Sequence, residues 1–327
     1  MNKFLIVRFS SIGDIVLTTP VIRALHNMPQ ASEIHFITKK KFKTTLQNNP
    51  YIDKLYTFEK EITEIASELK AEKYTHIIDL HSNLRSKRLK YLLKANTHSF
   101  NKLNVKKWMR VKLKYDKLPN IHIVDRYIQT LEFLGIKNDN QGLDYFLSES
   151  DIVNTSTFKK QFPEGYHTFV IGGAHFTKQI PSSTLIEIAN KSKLPIVLVG
   201  GPEDKSKGDE ILRLAKNTVI NSCGNFSLNE SAAIIKQGNK VVSSDTGLMH
   251  IASAFKKEIL SLWGNTIPEF GMYPYFPKEE KNKNHIFQVK DLACRPCSKI
   301  GYNQCPKRHF NCMLQIDITS IIKQLNR

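Results

Sequence analysis

Short apolar strands alternate with helical segments through both halves of this 327-residue chain. The strand candidates are nearly continuous apolar runs, as expected where helices cover both faces of a parallel sheet. The alternation predicts an α/β protein of two Rossmann-like domains, residues 1–160 and 161–327, whose parallel sheets face a central cleft. The final helix is a candidate for packing back on the N-terminal domain. The predicted strands are Lys3–Phe9, Glu33–Thr38, Lys54–Thr57, His76–Asp79, Thr168–Ile171, Ile196–Val199, Lys240–Ser243 and Glu258–Leu262.

The segments between these strands have the length and spacing of helices, and a polar stretch after Gly135 is the predicted linker. A hydrophobic content of 41% is typical of a globular protein. No apolar run approaches the length of a membrane span, and the N-terminus has the pattern of a strand, so a cytoplasmic location is expected. The predicted helices are Asp14–Met28, Lys41–Asn48, Glu61–Ala71, Arg85–Lys94, Ile123–Leu134, Ser182–Lys191, Asp204–Lys216, Ser227–Lys236 and Leu248–Phe255.

The net charge of +18 is concentrated in one segment. Between Arg85 and Lys117 there are 12 basic residues and one acidic residue, Asp116. Such a patch favours an anionic partner, which could be a phosphorylated glycolipid, an anionic membrane surface or a nucleic acid. A solvated, lysine-rich surface is the alternative. Only Trp108 and Tyr115 are aromatic in its most basic half, so interleaved base-stacking platforms are not evident.

The first strand leads directly into the turn Ser10-Ser11-Ile12-Gly13-Asp14. The turn lacks the Gly-x-Gly-x-x-Gly spacing of dinucleotide-binding folds, so nicotinamide or flavin binding has weak support. Asp14 falls in the first turn of the predicted helix, where the helix dipole favours the ionised carboxylate. An ionised carboxylate at the edge of a cleft can accept a proton from an attacking hydroxyl. The alternative is an acid that only stabilises the helix.

A second strand-to-helix turn, Ser244–His250, follows the predicted strand Lys240–Ser243. Asp245 or Thr246 can cap the helix, and Gly247 lets a diphosphate approach the free N–H groups at the helix N-terminus. His250, one turn further on, could reach the same ligand. A capped helix with a structural histidine is the alternative.

Two further loops follow strands in the second half. Lys178 lies after the glycine pair Gly172-Gly173 and is placed to neutralise phosphate oxygens. Glu203 follows Gly200-Gly201-Pro202 and could bind ribose hydroxyls. The alternatives are an exposed loop lysine and an acid that begins a helix.

Taken together, these segments resemble glycosyltransferase family 9, the bacterial heptosyltransferases that build the inner core of lipopolysaccharide. The similarity extends nearly end to end along the chain. The residues that carry it are Ser10-Ser11-Ile12-Gly13-Asp14, Pro20, Asp79 with Arg85-Ser86, Lys178–Pro181, Gly200-Gly201-Pro202-Glu203 and Asp245–Ala252.

The resemblance implies a GT-B fold, with an N-terminal acceptor-binding domain and a C-terminal domain that binds the nucleotide sugar. It implies an inverting transfer of heptose from ADP-heptose to a phosphorylated sugar-lipid acceptor, with no cofactor required for catalysis, at the cytoplasmic face of the inner membrane. A related transferase using another nucleotide sugar is one alternative. A basic nucleic-acid-binding α/β protein is another.

The resemblance also implies roles for particular residues. Asp14 is the general base, Lys178 and the Thr246-Gly247 turn hold the diphosphate, and Glu203 contacts the ribose. Asp245 and His250 complete the expected donor site. The expected acceptor-binding residues are Ser11, Arg85, Arg88 and Arg110. Since the sequence contains no Asp-x-Asp motif to hold a divalent metal, Lys178 and helix N–H groups are expected to stabilise the leaving group.

Four cysteines near the C-terminus form a separate cluster: Cys294, Cys297, Cys305 and Cys312, with His309 among them. Their spacing, Cys-x₂-Cys-x₇-Cys-x₆-Cys, makes a structural zinc site plausible in a reducing compartment. The alternative is a set of small apolar or redox-inert thiols.

Overall fold

The computed structural model describes residues 2–327 (of Val153, the backbone only). The chain divides into two compact units. The first comprises Met1–Lys102 and Ile121–Phe146, and the second comprises Leu103–Asn120 and Leu147–Arg327.

Each unit is built on one sheet in which the paired strands are parallel. The first sheet has the order β3-β2-β1-β4-β5 and the second has the order β11-β10-β9-β6-β7-β8. The strands are β1 (Asn2–Val7), β2 (Ser32–Lys39), β3 (Lys54–Phe58), β4 (His76–Asp79), β5 (Asn96–Ser99), β6 (His167–Val170), β7 (Ile196–Val199), β8 (Val219–Asn221), β9 (Lys240–Ser244), β10 (Glu258–Trp263) and β11 (Asn284–Gln288).

Helices connect the strands, and several 3₁₀ turns precede or follow them. The α-helices are α1 (Ile12–Val16), α2 (Thr19–His26), α3 (Ala66–Ala71), α4 (Leu84–Leu93), α5 (Asn104–Lys112), α6 (Ile123–Ile128), α7 (Glu149–Val153), α8 (Ser156–Gln161), α9 (Ser182–Asn190), α10 (Lys205–Leu214), α11 (Leu228–Gln237), α12 (Gly247–Ala254), α13 (Asn311–Leu314) and α14 (Ile318–Leu325).

The strand order reverses once in each sheet. In the first sheet β2 and β4 flank β1 on opposite sides, so the reversal lies between β1 and β4. In the second sheet β7 and β9 flank β6, so it lies between β6 and β9. Loops that leave two such strands diverge to opposite faces and open a crevice at the carboxyl edge of the sheet, where ligands bind in folds of this type. We call these the first and the second crevice.

The predicted fold class is confirmed, since both units are Rossmann-like parallel sheets. All eight predicted strands are present, some with ends shifted by one or two residues. The single helix predicted over Asp14–Met28 is wrong: α1 ends at Val16, and α2 restarts at Thr19 with Pro20 in its first turn. Proline lacks an N–H and suits the first turn of a helix, so it marks a new start there.

The units differ from the division predicted at residue 160. Residues after Leu147 belong to the second unit, where Asn154 donates a 2.8 Å hydrogen bond to Glu230. The structure places α14 in the second unit, with Ile321 and Leu325 buried in its core, and the expectation that the final helix packs back on the N-terminal domain stays a prediction.

Candidate functional site

The first crevice holds an ion pair between Arg8, which directly follows β1, and the predicted base Asp14. Arg8 Nη2 lies 2.6 Å from Asp14 Oδ1. Burial alone would lower the pKa of Arg8, but Asp14, Tyr127 and Asp79 together outweigh it and raise the pKa. The guanidinium therefore stays charged, and it holds the carboxylate by a charge-assisted hydrogen bond.

Arg8 is fixed in place by three further acceptors. Its Nε donates to Ser10 O at 2.7 Å, and its Nη1 donates to Leu80 O at 2.5 Å and to the Tyr127 hydroxyl at 2.9 Å. Burial raises the pKa of Tyr127, which stays protonated. A planar guanidinium with several fixed partners holds one orientation and so transmits that orientation to Asp14.

Asp14 lies in the first turn of α1, as predicted. Its second oxygen, Oδ2, accepts hydrogen bonds from the backbone N–H of Ser11 at 3.2 Å and from the Ser11 hydroxyl at 2.9 Å. The predicted acceptor residue Ser11 is thus placed directly beside the predicted base.

Asp79, at the end of β4, organises the other wall of the first crevice. The buried carboxylate accepts hydrogen bonds from the backbone N–H groups of His81 and Ser82 and from the Ser86 hydroxyl. Lys90 Nζ lies 3.0 Å from the same group. These contacts fix the start of α4, which carries the exposed residues Arg85 and Arg88. Arg110, the remaining predicted acceptor residue, lies in α5 of the second unit.

The second crevice also holds an ion pair, between the predicted donor-site residues Lys178 and Asp245. Lys178 Nζ lies 2.6 Å from Asp245 Oδ2, and the Thr266 hydroxyl donates to the same oxygen at 3.2 Å. Lys178 ends a 3₁₀ turn in the loop after β6, and Asp245 directly follows β9. The structure therefore joins the two loops across the point where the strand order reverses.

Thr246 is the residue that caps α12, so the structure decides between the two capping candidates. Its backbone is extended, and its hydroxyl accepts a 3.4 Å hydrogen bond from the N–H of Met249. Asp245 pairs with Lys178 instead. Gly247 begins α12, and the partly exposed first turn presents the N–H groups and positive dipole end expected of an anion site. His250 is buried inside the same helix.

Close contacts that the sequence did not show explain why two positions beside this crevice are glycine. A Cβ added at Gly172 would lie 2.2 Å from Asp204 Oδ2, and one added at Gly200 would lie 2.7 Å from the same atom. These two glycines therefore make room for the buried carboxylate of Asp204. Gly173 is different, since its nearest neighbour, Gln179 Cγ, is at 3.4 Å. Glu203, the predicted ribose contact, is exposed in the turn after Gly201.

Lys207 was not identified from the sequence. Its ammonium donates to Ile171 O at 3.1 Å and to Ile180 O at 2.7 Å, and so ties together the two ends of the loop that carries Lys178. Burial lowers the pKa of Lys207 to about 8. Arg8 was also missed, and an arginine directly after the first strand and six residues before Asp14 is the signal that could have found it.

The cysteine cluster is less compact than a formed zinc site. Cys294 Sγ lies 3.8 Å from His309 Nε2, and burial raises the pKa values of Cys297 and, to about 12, of Cys312. Zinc–sulfur bonds of about 2.3 Å require the ligand atoms to lie within about 4 Å of one another. Within residues 2–327, three such ligand atoms lie within 4.8 Å of one another only in the group Glu33, His35 and Glu72, whose two carboxylates already pair with Lys3. The zinc site stays a prediction.

The model of glycosyltransferase family 9 (heptosyltransferase) matches residues 62–302. The chain belongs to this family. The predicted family is thereby confirmed, the chain is a glycosyltransferase, and the nucleic-acid-binding alternative is set aside. The matched range contains the second crevice, whereas Asp14 and Arg8 lie before it.

Curated relatives and solved structures agree with the family. Lipopolysaccharide heptosyltransferase 1 of Campylobacter coli is 24% identical over 290 residues, which is 81% of this chain and 84% of that protein. The family 9 glycosyltransferase from Veillonella parvula has 24% identity and a TM-score of 0.71, covering 87% of this chain and 84% of that one. ADP-heptose LPS heptosyltransferase II of E. coli has 19% identity and a TM-score of 0.73, covering 99% and 97%. These structures support the GT-B type of fold.

Proposed function

We propose that this enzyme transfers heptose, with inversion, from ADP-heptose to a phosphorylated inner-core or lipid A acceptor of lipopolysaccharide. One observation carries the proposal: in each unit the crevice at the strand reversal holds one carboxylate paired with one cation. Family membership supports the sugar class, and relatives named lipopolysaccharide heptosyltransferases support the acceptor class.

In this proposal Asp14 acts as the general base. The acceptor hydroxyl attacks the anomeric carbon of heptose, and its proton passes to the Asp14 carboxylate as the new carbon–oxygen bond forms. Attack from the face opposite the diphosphate inverts the anomeric configuration, and the broken bond releases ADP. Arg8 acts through Asp14, because it holds the carboxylate in a single orientation.

Lys178 and the first turn of α12 stabilise the departing diphosphate in this proposal. Negative charge grows on the diphosphate oxygens as the bond breaks, so cationic and N–H donors placed beforehand lower the barrier. Lys178 then exchanges its contact with Asp245 for the phosphate oxygens, while Asp245 keeps its hydrogen bond from Thr266. The exposed Glu203 is placed to contact the ribose, and His250 supports the helix that binds the diphosphate.

The proposed acceptor contacts are Ser11, Arg85, Arg88 and Arg110, and the positive charges of the three arginines match a phosphorylated glycolipid. We extend the proposal to location: the enzyme works as a peripheral protein at the cytoplasmic face of the inner membrane. Across residues 2–327, no helix combines the length and the apolar character that crossing a bilayer requires.

A transfer assay tests the proposal. Purified enzyme is supplied with a heptose-free inner-core acceptor and, in separate reactions, with ADP-heptose, UDP-hexose or GDP-hexose. The expected result is a product one heptose heavier with ADP-heptose alone, with the anomeric configuration opposite to that of the donor by NMR. Preferential transfer from UDP- or GDP-hexose would instead identify a related transferase with another donor.

A further inference from the structure

The segment Leu103–Asn120 carries an apolar surface that the second unit leaves exposed. None of the nine residues of α5 is buried, although four of them are apolar. Val105 is 72% exposed and Trp108 is 54% exposed, and Leu113, directly after the helix, is 60% exposed. Isolated exposed apolar residues are ordinary, but several on one short helix mark a contact surface.

An ordinary surface helix buries its apolar side, whereas in α5 Val105 and Trp108 are exposed and Met109 and Val111 are only half-buried. Val105, Trp108 and Lys112 follow helical spacing along the exposed side. The cations on the other side interact with the protein. Lys107 Nζ lies 5.8 Å from the ring centre of Phe270, and Arg110 Nε lies 3.5 Å from Asp116 Oδ2.

Lys114, which follows the C-terminal end of α5, attaches the segment to the rest of the second unit. Lys114 Nζ donates to Cys294 O at 3.2 Å and to Pro296 O at 2.8 Å. These contacts fix the C-terminal end of α5 on the loop of the cysteine cluster. The exposed apolar side is therefore held on a folded support.

The exposed charges around this surface are positive. Lys106, Lys112 and Lys117 are all exposed, and the single acid of the segment, Asp116, pairs with Arg110. We infer that α5 with Leu113 is a membrane-docking element that lies in the surface of an anionic phospholipid bilayer. This inference rests on the proposed function, since it names the surface on which the glycolipid acceptor is met.

An anionic bilayer accounts for both the exposed apolar side chains and the positive charges around them. Tryptophan and short aliphatic side chains are stable at the level of the headgroups, and lysines beside them are attracted to an anionic surface. Nine helical residues span about 14 Å, which suits an interfacial helix and is too short to cross the hydrocarbon core.

Tryptophan fluorescence gives a direct test with the full-length enzyme. The chain has two tryptophans, and Trp263 is 1% exposed in the core, so a change on adding vesicles reports Trp108. We expect a blue shift and protection from acrylamide with vesicles of phosphatidylglycerol and phosphatidylcholine, and neither with phosphatidylcholine alone.

Two sets of variants separate the apolar and the electrostatic contributions. Co-sedimentation with the anionic vesicles should fall about tenfold for V105S/L113S and roughly a hundredfold for K106Q/K112Q/K117Q at low salt. The matched controls are L212S/L214S, which alters exposed leucines of α10, and K159Q/K160Q/K281Q, which removes the same charge elsewhere on the second unit. Both controls should bind like the unaltered enzyme.

Transfer to a deacylated, lipid-free acceptor distinguishes this inference from the proposed function. All four variants should keep that activity, because none alters a residue of the two crevices. Vesicle binding by a protein that transfers heptose to no acceptor would remove the proposed function and leave this inference standing. Three results would overturn the inference: an unchanged Trp108 signal, equal binding to neutral vesicles, or variants that bind like their controls. An unchanged Trp108 signal would leave a protein partner as the occupant of this surface.

Discussion

The two crevices contain the same kind of ion pair, but the partners differ in rigidity and exposure. In the first crevice the side chain of Arg8 is 10% exposed and that of Asp14 is 21% exposed. In the second crevice Lys178 is 18% exposed and Asp245 is 12% exposed. The carboxylate is thus the more accessible partner in the first crevice, and the cation is the more accessible partner in the second.

The difference indicates a separate chemical task for each crevice. A base must be held still while a hydroxyl approaches, and a guanidinium with three other fixed acceptors does this for Asp14. A cation that meets a leaving group must be able to change partners. Lys178, with a flexible stem and a single ammonium, can leave Asp245 for a phosphate oxygen.

Asp14→Asn should have the largest effect on turnover. The amide keeps the shape of the side chain but cannot accept the proton, so we expect kcat to fall by about a thousandfold. Circular dichroism and the melting temperature monitor folding, because removing one charge of a buried pair also costs stability. Near-normal turnover in a folded variant would remove Asp14 from the mechanism.

Lys178→Ala should have the next largest effect. Loss of a charged hydrogen bond to the diphosphate is worth about 1.5–3 kcal/mol, which predicts a ten- to hundredfold decrease in kcat/KM for the donor. The KM for the acceptor should stay the same. Lys191→Ala, at the end of α9, is the matched control and should behave like the unaltered enzyme. An equal decrease in kcat/KM in both variants would show that any lost positive charge weakens donor binding, and would contradict a specific role for Lys178.

Arg8→Lys tests the rigidity of the first crevice. The lysine keeps the positive charge but loses the fork that binds Ser10, Leu80 and Tyr127. We expect kcat to decrease about tenfold, with the KM for the donor unchanged, because only the orientation of Asp14 is lost. A rise in donor KM with unchanged kcat would contradict the positioning role.

Burial of the Lys207 ammonium should make the stability of the second unit depend on pH. Its pKa of about 8 lies below the ordinary value, so between pH 8 and about 10.5 the unfolded chain binds more protons than the folded one. The free energy of unfolding should therefore rise through this window, by about 3 kcal/mol relative to Lys207→Met. Denaturant titrations at several pH values measure it, and parallel curves for the two proteins would show that the ammonium is well solvated.

Metal removal should have the smallest effect. Because Lys178 and helix N–H groups stabilise the leaving group in the proposed mechanism, EDTA should change kcat by less than about twofold. Metal analysis of the reduced protein tests the zinc prediction separately. One zinc per chain, with a lower melting temperature after chelation, is the expected result for a structural site. Near-zero zinc would leave the four cysteines as unligated thiols.

The sequence predicted the second crevice better than the first. Lys178, Asp245 and Thr246 were all identified, because glycine-rich strand-to-helix turns have a local signature. The sequence could not show that Lys178 and Asp245 pair, since 67 residues separate them. Nor could it show that Gly172 and Gly200 make room for Asp204.

Long-range contacts explain what was missed elsewhere. The position of Arg8 after the first strand marks it as a candidate, but its orientation depends on Leu80 and Tyr127, which lie 72 and 119 residues away and which no local pattern reveals. The strands β5, β8 and β11 were missed because they lie at the edges of the sheets and are largely polar and partly exposed, so they lack the apolar run that marks the equally short β4, β6 and β7. Helix α5 was not predicted, because its apolar residues alternate with lysines in the charged segment and give no clear helical pattern.

Titration with ADP, followed by calorimetry, tests the division of tasks most directly. We expect Asp14→Asn to bind ADP with the affinity of the unaltered enzyme, while Lys178→Ala binds it ten- to hundredfold more weakly. The opposite result, in which Asp14→Asn loses ADP affinity and Lys178→Ala retains it, would contradict the assignment of the base to the first crevice and the diphosphate to the second.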